Sequence, residues 1–261
     1  VDCLPKRPVI DCQQIENRIT EKTKAIIAIH INGRSVDMTA INQIAKKYDL
    51  FVIEDGCQSF LSKNLDGYLG TQADVGCFSL GVTKLISTGQ GGVVVTRNQQ
   101  FYEELLLVRN NGMENIMEPN YIRAGANFKF NDILASIGIV QLADAPRRVI
   151  ACKKIFKQYK EMLQEFPFLE IIPLREEEGE FPIYIEVLSH LRKSIMEHLE
   201  AHKIQSRILP PSLHRAPQFS YQDHSFPNST LIEEDAFYLP SGPDQPLESL
   251  ERVFDALRSY K

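Results

Sequence analysis

Apolar runs and helical spacings alternate along the first half of the chain. Residues 25–31, Ala-Ile-Ile-Ala-Ile-His-Ile, are nearly continuous in apolar character, the pattern of a parallel strand buried on both faces. Asn32-Gly33 ends the run. Asp37 stands where a helix N-cap belongs, and Met38, Ile41, Ile44, Ala45 and Tyr48 then recur at helical spacing. Residues 51–53 predict the next strand and close a strand-helix-strand unit. A third strand is predicted over residues 75–80, and Gly89-Gln90-Gly91-Gly92 reads as a turn that returns the chain as Val93-Val94-Val95. A helix over residues 99–109 aligns Phe101, Leu105 and Val108 and stops at Asn110-Asn111-Gly112. Upstream, Ile10, Ile15 and Ile19 predict a helix over residues 10–20, whereas residues 1–3 are too short for an element and Pro5 and Pro8 break the pattern.

The second half has a different texture. Residues 113–130 lack a period and read as a long loop, of the kind that carries function or crosses to a partner. Asn131 or Asp132 caps a helix running through Ile133, Ile137 and Leu142, and Pro146 ends it or starts another. An amphipathic helix is predicted over residues 147–166. Strands over 169–172 and 181–187 then flank a charged turn, followed by a helix over 190–202, a strand over 204–209, an irregular stretch over 210–228 and a closing helix over 247–260. This predicts an α/β chain: a large domain with a mainly parallel sheet over residues 1–145 and a smaller α+β domain over 146–261.

Parallel strands place ligands at their carboxyl ends, where loops and helix N-termini gather. The second strand ends in Glu54-Asp55-Gly56-Cys57-Gln58-Ser59, and the third delivers Ser79 and then Lys84. Two strand ends therefore offer an acid, an amide, a hydroxyl and a lysine to one crevice. A lysine acts as a nucleophile at neutral pH only when desolvated or placed beside another cation. By residue type alone Lys84 is more often a surface residue and Asp55 a loop acid. The combination is more specific: a strand-end carboxylate needs a partner, and a pyridinium nitrogen is one, with Gln58 and Ser79 placed to donate to a ring hydroxyl and a phosphate.

Other candidates are weaker. No GxGxxG or GxxxxGK[ST] phosphate loop occurs. His198 and His202 are spaced i, i+4, but Glu200 lies one place off the HExxH pattern, so an exposed helix face is the simpler reading. His30, inside an apolar strand, reads as a satisfied core residue rather than the base of a Cys57 or Cys77 nucleophile, and His214 is at most a pocket-lining residue.

Composition narrows the classes. With 261 residues, 43% hydrophobic and 24% charged, the chain is an ordinary globular one. Its net charge of -5 gives no basic face for nucleic acid. No window approaches the roughly 20 apolar residues of a membrane span. Five scattered cysteines without CxxC spacing are expected to be reduced thiols in a cytoplasmic setting.

Several ordered segments resemble the DegT/StrS-type sugar aminotransferases, a pyridoxal-phosphate family of the aspartate-aminotransferase fold. They are Lys24-Ala25-Ile26-Ile27, residues 52–59, Cys77-Phe78-Ser79, Lys84 and Thr88-Gly89-Gln90-Gly91-Gly92, then Arg109-Asn110-Asn111-Gly112, residues 125–129, residues 135–142 and Leu239-Pro240-Ser241-Gly242. The likeness covers nearly the whole chain. It implies a three-layer large domain in which Lys84 holds pyridoxal 5'-phosphate as a Schiff base and shuttles the proton. Asp55 would pair with the pyridinium nitrogen, Gln58 would contact the ring hydroxyl and Ser79 the phosphate. Asn127 would reach the phosphate of a neighbouring subunit, which implies a homodimer. The implied reaction transfers an amino group from glutamate to a nucleotide-linked keto-sugar, as in polysaccharide biosynthesis. Lysine at 84 argues against the family's dehydratase branch, which carries histidine there.

The chain departs from the family pattern at Gly56-Cys57, Ser59, Gln90 and Lys129. Nothing in it resembles the upstream segment that carries the family's first strand, its phosphate-cradling turn and a ring-stacking aromatic. The large sheet is therefore expected to be incomplete, with a second polypeptide a candidate to supply the remainder. The alternative implied is a non-catalytic or partner-dependent family member that acts by binding.

Overall fold

The computed structural model describes residues 1–115, 117–219 and 225–260. Its first sheet is built on β3 (Ala25–Ile29), β4 (Phe51–Asp55), β7 (Val75–Ser79) and β8 (Gly92–Val95), in the order β3-β4-β7-β8. β3 and β7 each pair parallel with β4, and β8 returns antiparallel to β7. α1 (Met38–Tyr48), capped by Asp37 through the N–H of Ala40, covers one face with Met38, Ile41 and Ala45. Ile26, Ala28, Val52, Val9 and Ile15 complete that core.

The opposite face differs from the expectation of full burial. β3 alternates, and Ile27 and Phe51 are 56% and 55% exposed. α2 (Gln99–Arg109), capped by Asn98, meets this face through Phe101, whose ring lies edge-on to Phe51 at 5.4 Å. Val93 and Val94 of β8 are also exposed, and among the described residues β3 and β8 each have one unpaired edge.

Before β3, two strands that the sequence reading passed over, β1 (Cys3–Leu4) and β2 (Arg7–Ile10), form a hairpin. The helix expected over residues 10–20 is instead two 3-10 turns, Cys12–Gln14 and Glu16–Arg18. The short hairpin β5 (Lys63–Asn64) and β6 (Gly67–Tyr68) lies between β4 and β7.

α3 spans Asp132–Met162 as one helix of 31 residues, with Pro146 inside it. Asn131, not Asp132, caps it by accepting from Leu134 N. Its first half packs Ala145 with Leu80 and Ile86, and its second half carries Ile155, Phe156 and Tyr159 into the second core. There, β9 (Glu170–Ile171), β10 (Ile185–Leu188), β11 (Arg207–Ile208) and β12 (Ala236–Leu239) form an antiparallel sheet in the order β11-β12-β10-β9. α4 (Arg192–Ala201) and α6 (Glu248–Ser259) cover it, and α5 (Pro227–Asp235) begins at the end of the stretch read as irregular, which holds only the 3-10 turns Leu213–Arg215 and Pro217–Phe219 among its described residues. Of that stretch, residues 220–224 lie outside the described residues, as does residue 116 of the long loop. No helix of the described residues is long and apolar enough to cross a membrane.

Buried polar groups join the two units. Arg34 donates to Pro173 O and Ile172 O at 3.0 Å and to Glu186 Oε2 at 2.5 Å. Glu180 accepts from Arg7, from the N–H and hydroxyl of Ser35 and from Arg175 N. Gly33 sits between these anchors at φ +79, where a Cβ would lie 1.9 Å from the carbonyl oxygen of Phe181. Only glycine permits that approach.

Candidate active site

The site forms where β4 and β7 end side by side. Asp55 is the last residue of β4 and pairs with Cys77, and Gly56 N donates to Cys77 O at 2.8 Å. Ser79 is the last residue of β7, two places beyond Cys77, and faces Gly92 of β8. The connection from β7 to β8 turns tightly: Leu80 N donates to Gly91 O, Thr88 N to Leu80 O and Lys84 N to Gly81 O. Gly91 adopts φ +123, and a Cβ there would lie 2.5 Å from the ring of Phe130. This turn carries Lys84, half-buried, back toward the end of β4.

Asp55 Oδ1 accepts the N–H of Cys57 at 2.9 Å. Gln58 Oε1 accepts the N–H of Asn32 at 3.1 Å. An N–H can face only the oxygen of an amide, so the Gln58 NH2 is turned the other way. Ser79 Oγ accepts Gly81 N at 3.2 Å, which leaves the hydroxyl proton free to donate. Among the described residues neither Asp55 nor Lys84 enters an ion pair. Both act on the thiol between them: burial first, then Asp55, push Cys57 up to about 12, against an opposing pull from the Lys84 ammonium. An acid, an amide donor, a hydroxyl donor and an amine therefore stand at, or within a few residues of, two adjacent strand ends.

Asn127 is on a different element. It is exposed, its backbone bridges Asn110, and no hydrogen bond among the described residues links it to the other four. Lys129, nearby, reaches Asn110 Oδ1 at 3.5 Å.

Three supporting features escaped the sequence reading. Asn32 is fully buried, and its N–H orients Gln58. Tyr184, from the second unit, donates its hydroxyl to Thr83 O at 2.6 Å, one residue before Lys84. Arg148 of α3 donates to Leu85 O at 3.2 Å, one residue after it. Asn-Gly following a strand was a usable signal for a left-handed turn at residue 32, but nothing local marks Tyr184 or Arg148.

The other candidates resolve structurally. Val36 N donates to His30 Nδ1 at 3.1 Å, which places the ring proton on Nε2, 2.8 Å from Glu54 Oε1. His30 is thus a satisfied core residue. His198 Nε2 faces Ala256 O at 2.8 Å and so carries a proton, and His214 stacks on Phe226. A groove of about 720 Å³ along α4 and β11 is lined by charged side chains including Arg192, Glu197 and Lys203, and shares no residue with the Lys84 site.

Comparison with known proteins places the chain in a family. The dTDP-3-amino-3,6-dideoxy-alpha-D-galactopyranose transaminase of Aneurinibacillus thermoaerophilus is 32% identical over 260 residues, covering 96% of this chain and 69% of that protein. GDP-perosamine synthase of Escherichia coli O157:H7 is 29% identical over 251 residues, covering 94% and 68%. The structure of the aminotransferase TlmJ from Streptoalloteichus hindustanus superposes with a TM-score of 0.92 at 23% identity, covering 99% of this chain and 71% of that one. A family model matches residues 1–258, and the chain belongs to the DegT/DnrJ/EryC1/StrS aminotransferase family.

Proposed function

We propose that this chain carries the lysine-bearing part of a pyridoxal-phosphate site that transfers an amino group, with glutamate as donor, to a nucleotide-linked keto-sugar. The carrying observation is the convergence of Asp55, Gln58, Ser79 and Lys84 at two adjacent strand ends. Relatives named as sugar transaminases and a perosamine synthase support the substrate class.

The donor set fits the group. When bound, pyridoxal phosphate supplies an electron sink for the bonds at the amino-bearing carbon. Asp55 would hold the ring nitrogen in its protonated form, and Gln58 would donate its NH2 to the ring hydroxyl. Ser79 would donate its hydroxyl to the phosphate. Lys84 Nζ would hold the group at its aldehyde carbon and would carry the proton at the donor's α-carbon. We retain the division at residue 145/146.

The proposal includes a homodimer in which Asn127 serves the neighbouring site. Exposed Tyr121, Phe128, Ile133 and Ile137 on the loop and on α3 support this reading. A partner-dependent form, acting by binding until a second polypeptide completes the sheet, is supported by the unpaired β8 edge and the exposed Ile27, Phe51, Val93 and Val94.

Pyridoxal phosphate added to the purified chain should produce visible absorbance, and borohydride should fix a pyridoxyl group on the peptide containing Lys84. The label should vanish in Lys84→Ala. Label elsewhere, or none, would sink the reading for the chain alone. Label appearing only with a co-purified polypeptide would favour the partner-dependent form.

A further inference from the structure

Segment 183–184 of the second unit touches both halves of the crevice through two residues outside the set that would contact the cofactor. Asn32 is fully buried in a left-handed conformation, φ 48 and ψ 47. Its side chain makes three hydrogen bonds to that segment: Oδ1 accepts Ile183 N at 2.8 Å and Tyr184 N at 2.9 Å, and Nδ2 donates to Tyr184 O at 2.8 Å. Its own N–H holds Gln58 Oε1. The Tyr184 ring continues from the same backbone to Thr83 O and packs on Tyr238, with centroids 5.3 Å apart.

We propose that Asn32 and Tyr184 are positioning residues that couple the second unit to the cofactor pocket, Asn32 by fixing the direction of the Gln58 amide and Tyr184 by holding the turn that carries Lys84. This rests on the pyridoxal-phosphate reading above. Asn32 is suited to the task because it tolerates the left-handed region and offers both an acceptor and a donor to an extended backbone. A shift of segment 183–184 relative to the first sheet then moves the Gln58 donor and the Lys84 turn together. Binding at the second unit would therefore be felt at the ring hydroxyl and at the amine in one event.

The test uses the full chain loaded with pyridoxal phosphate. Wild type, Asn32→Ala, Tyr184→Phe, Gln58→Ala and the double variant Asn32→Ala/Gln58→Ala are compared by borohydride labelling at Lys84, by cofactor titration and by the pH midpoint of the visible band. Tyr184→Phe removes one hydroxyl from a half-buried ring and keeps the fold. The expected result is about tenfold weaker cofactor binding in Tyr184→Phe, the loss that follows from one neutral hydrogen bond, and a larger loss in Asn32→Ala, which keeps the backbone N–H but removes the three side-chain bonds that hold it in place, with label retained at Lys84 in both. The midpoint should move in Asn32→Ala and not move further when that change is added to Gln58→Ala, because residues acting through one another are non-additive.

A midpoint unchanged in Asn32→Ala, or shifted equally with and without Gln58, overturns the assignment of Asn32. Unchanged binding and midpoint in Tyr184→Phe overturn that of Tyr184. No label in the wild type overturns the cofactor reading and this coupling with it, whereas label with none of these effects overturns the coupling alone.

Discussion

The ring of His30 donates from Nε2 to Glu54 Oε1 at 2.8 Å with both side chains fully buried. Gly70 N and Gln72 N also donate to Glu54, which thus fixes the chain between β4 and β7 directly behind Asp55. Burial pushes the carboxyl up, but the bonds from His30, Gln72 and Gly70 outweigh it, and Glu54 titrates below the ordinary range. Its contribution to stability is full above the unfolded value of about 4.3 and is lost as pH falls through the lower folded value. Glu54→Gln, which sets an NH2 against an N–H, should cost about 2 kcal/mol near neutral pH. Denaturation midpoints of the two proteins should converge as the pH is lowered; parallel curves would refute the assignment.

Asp2 caps a helix more than two hundred residues away. Its carboxylate accepts Asn228 N at 3.0 Å and Ser229 N at 2.9 Å in the first turn of α5, along with the Ser229 hydroxyl. Phe226, at the N-cap position, has no side-chain oxygen for this purpose. Asp2→Ala should destabilise by about 1–2 kcal/mol, read by chemical denaturation. Hydrogen exchange should show the loss concentrated at the start of α5.

Arg34 and Glu186 meet across the two units with side chains no more than 1% exposed. Removing one partner strands a buried charge, so Arg34→Met should cost about 3–5 kcal/mol, while Arg34→Met/Glu186→Leu should recover much of it. A double-mutant cycle by denaturant unfolding checks this, and additive losses would contradict the pairing.

All five cysteines are free thiols, and Cys57 is held at about 12 by burial and by Asp55. Against a free cysteine near 8.5, its thiolate fraction at pH 8 is lower by a factor on the order of a thousand. Iodoacetamide at pH 8 should therefore leave Cys57 largely unmodified until the chain is unfolded, as followed by peptide mass spectrometry. Rapid modification of the native chain would refute this environment.

Asp55→Asn removes a charge from its proposed bond to the ring nitrogen and should weaken pyridoxal phosphate by about a hundredfold, against about tenfold for Ser79→Ala. Absorbance titration gives both values. Equal losses would argue against distinct roles at the ring and the phosphate.

The strands ending at Asp55 and Ser79 were legible because apolar runs mark parallel strands. Elsewhere, partners distant in the chain prevailed over local pattern. The strand expected over residues 181–187 shrinks to Ile185–Leu188 because Ile183 N and the backbone of Tyr184 bond to Asn32 rather than to the sheet, and Pro182 has no N–H to give. Residues 10–20 carried a helical spacing, but their Ile15 is buried at a junction between two short turns. Pro146 did not end its helix, since it lies within a continuous run from Asp132 to Met162. The carbonyl it leaves unserved belongs to exposed Leu142, where water can satisfy it.

That proline gives the long helix a mechanical asymmetry. Ala145, fully buried against Leu80 and Ile86, clamps α3 beside the turn that carries Lys84. The next residue lacks the N–H that would stiffen the rod, so bending is easiest there. The helix is therefore a beam held in two cores, with its softest point between the supports. Past residue 146 the same helix returns to that turn through Arg148, which donates to Leu85 O, so the second unit meets the Lys84 turn on two sides, from α3 and from Tyr184.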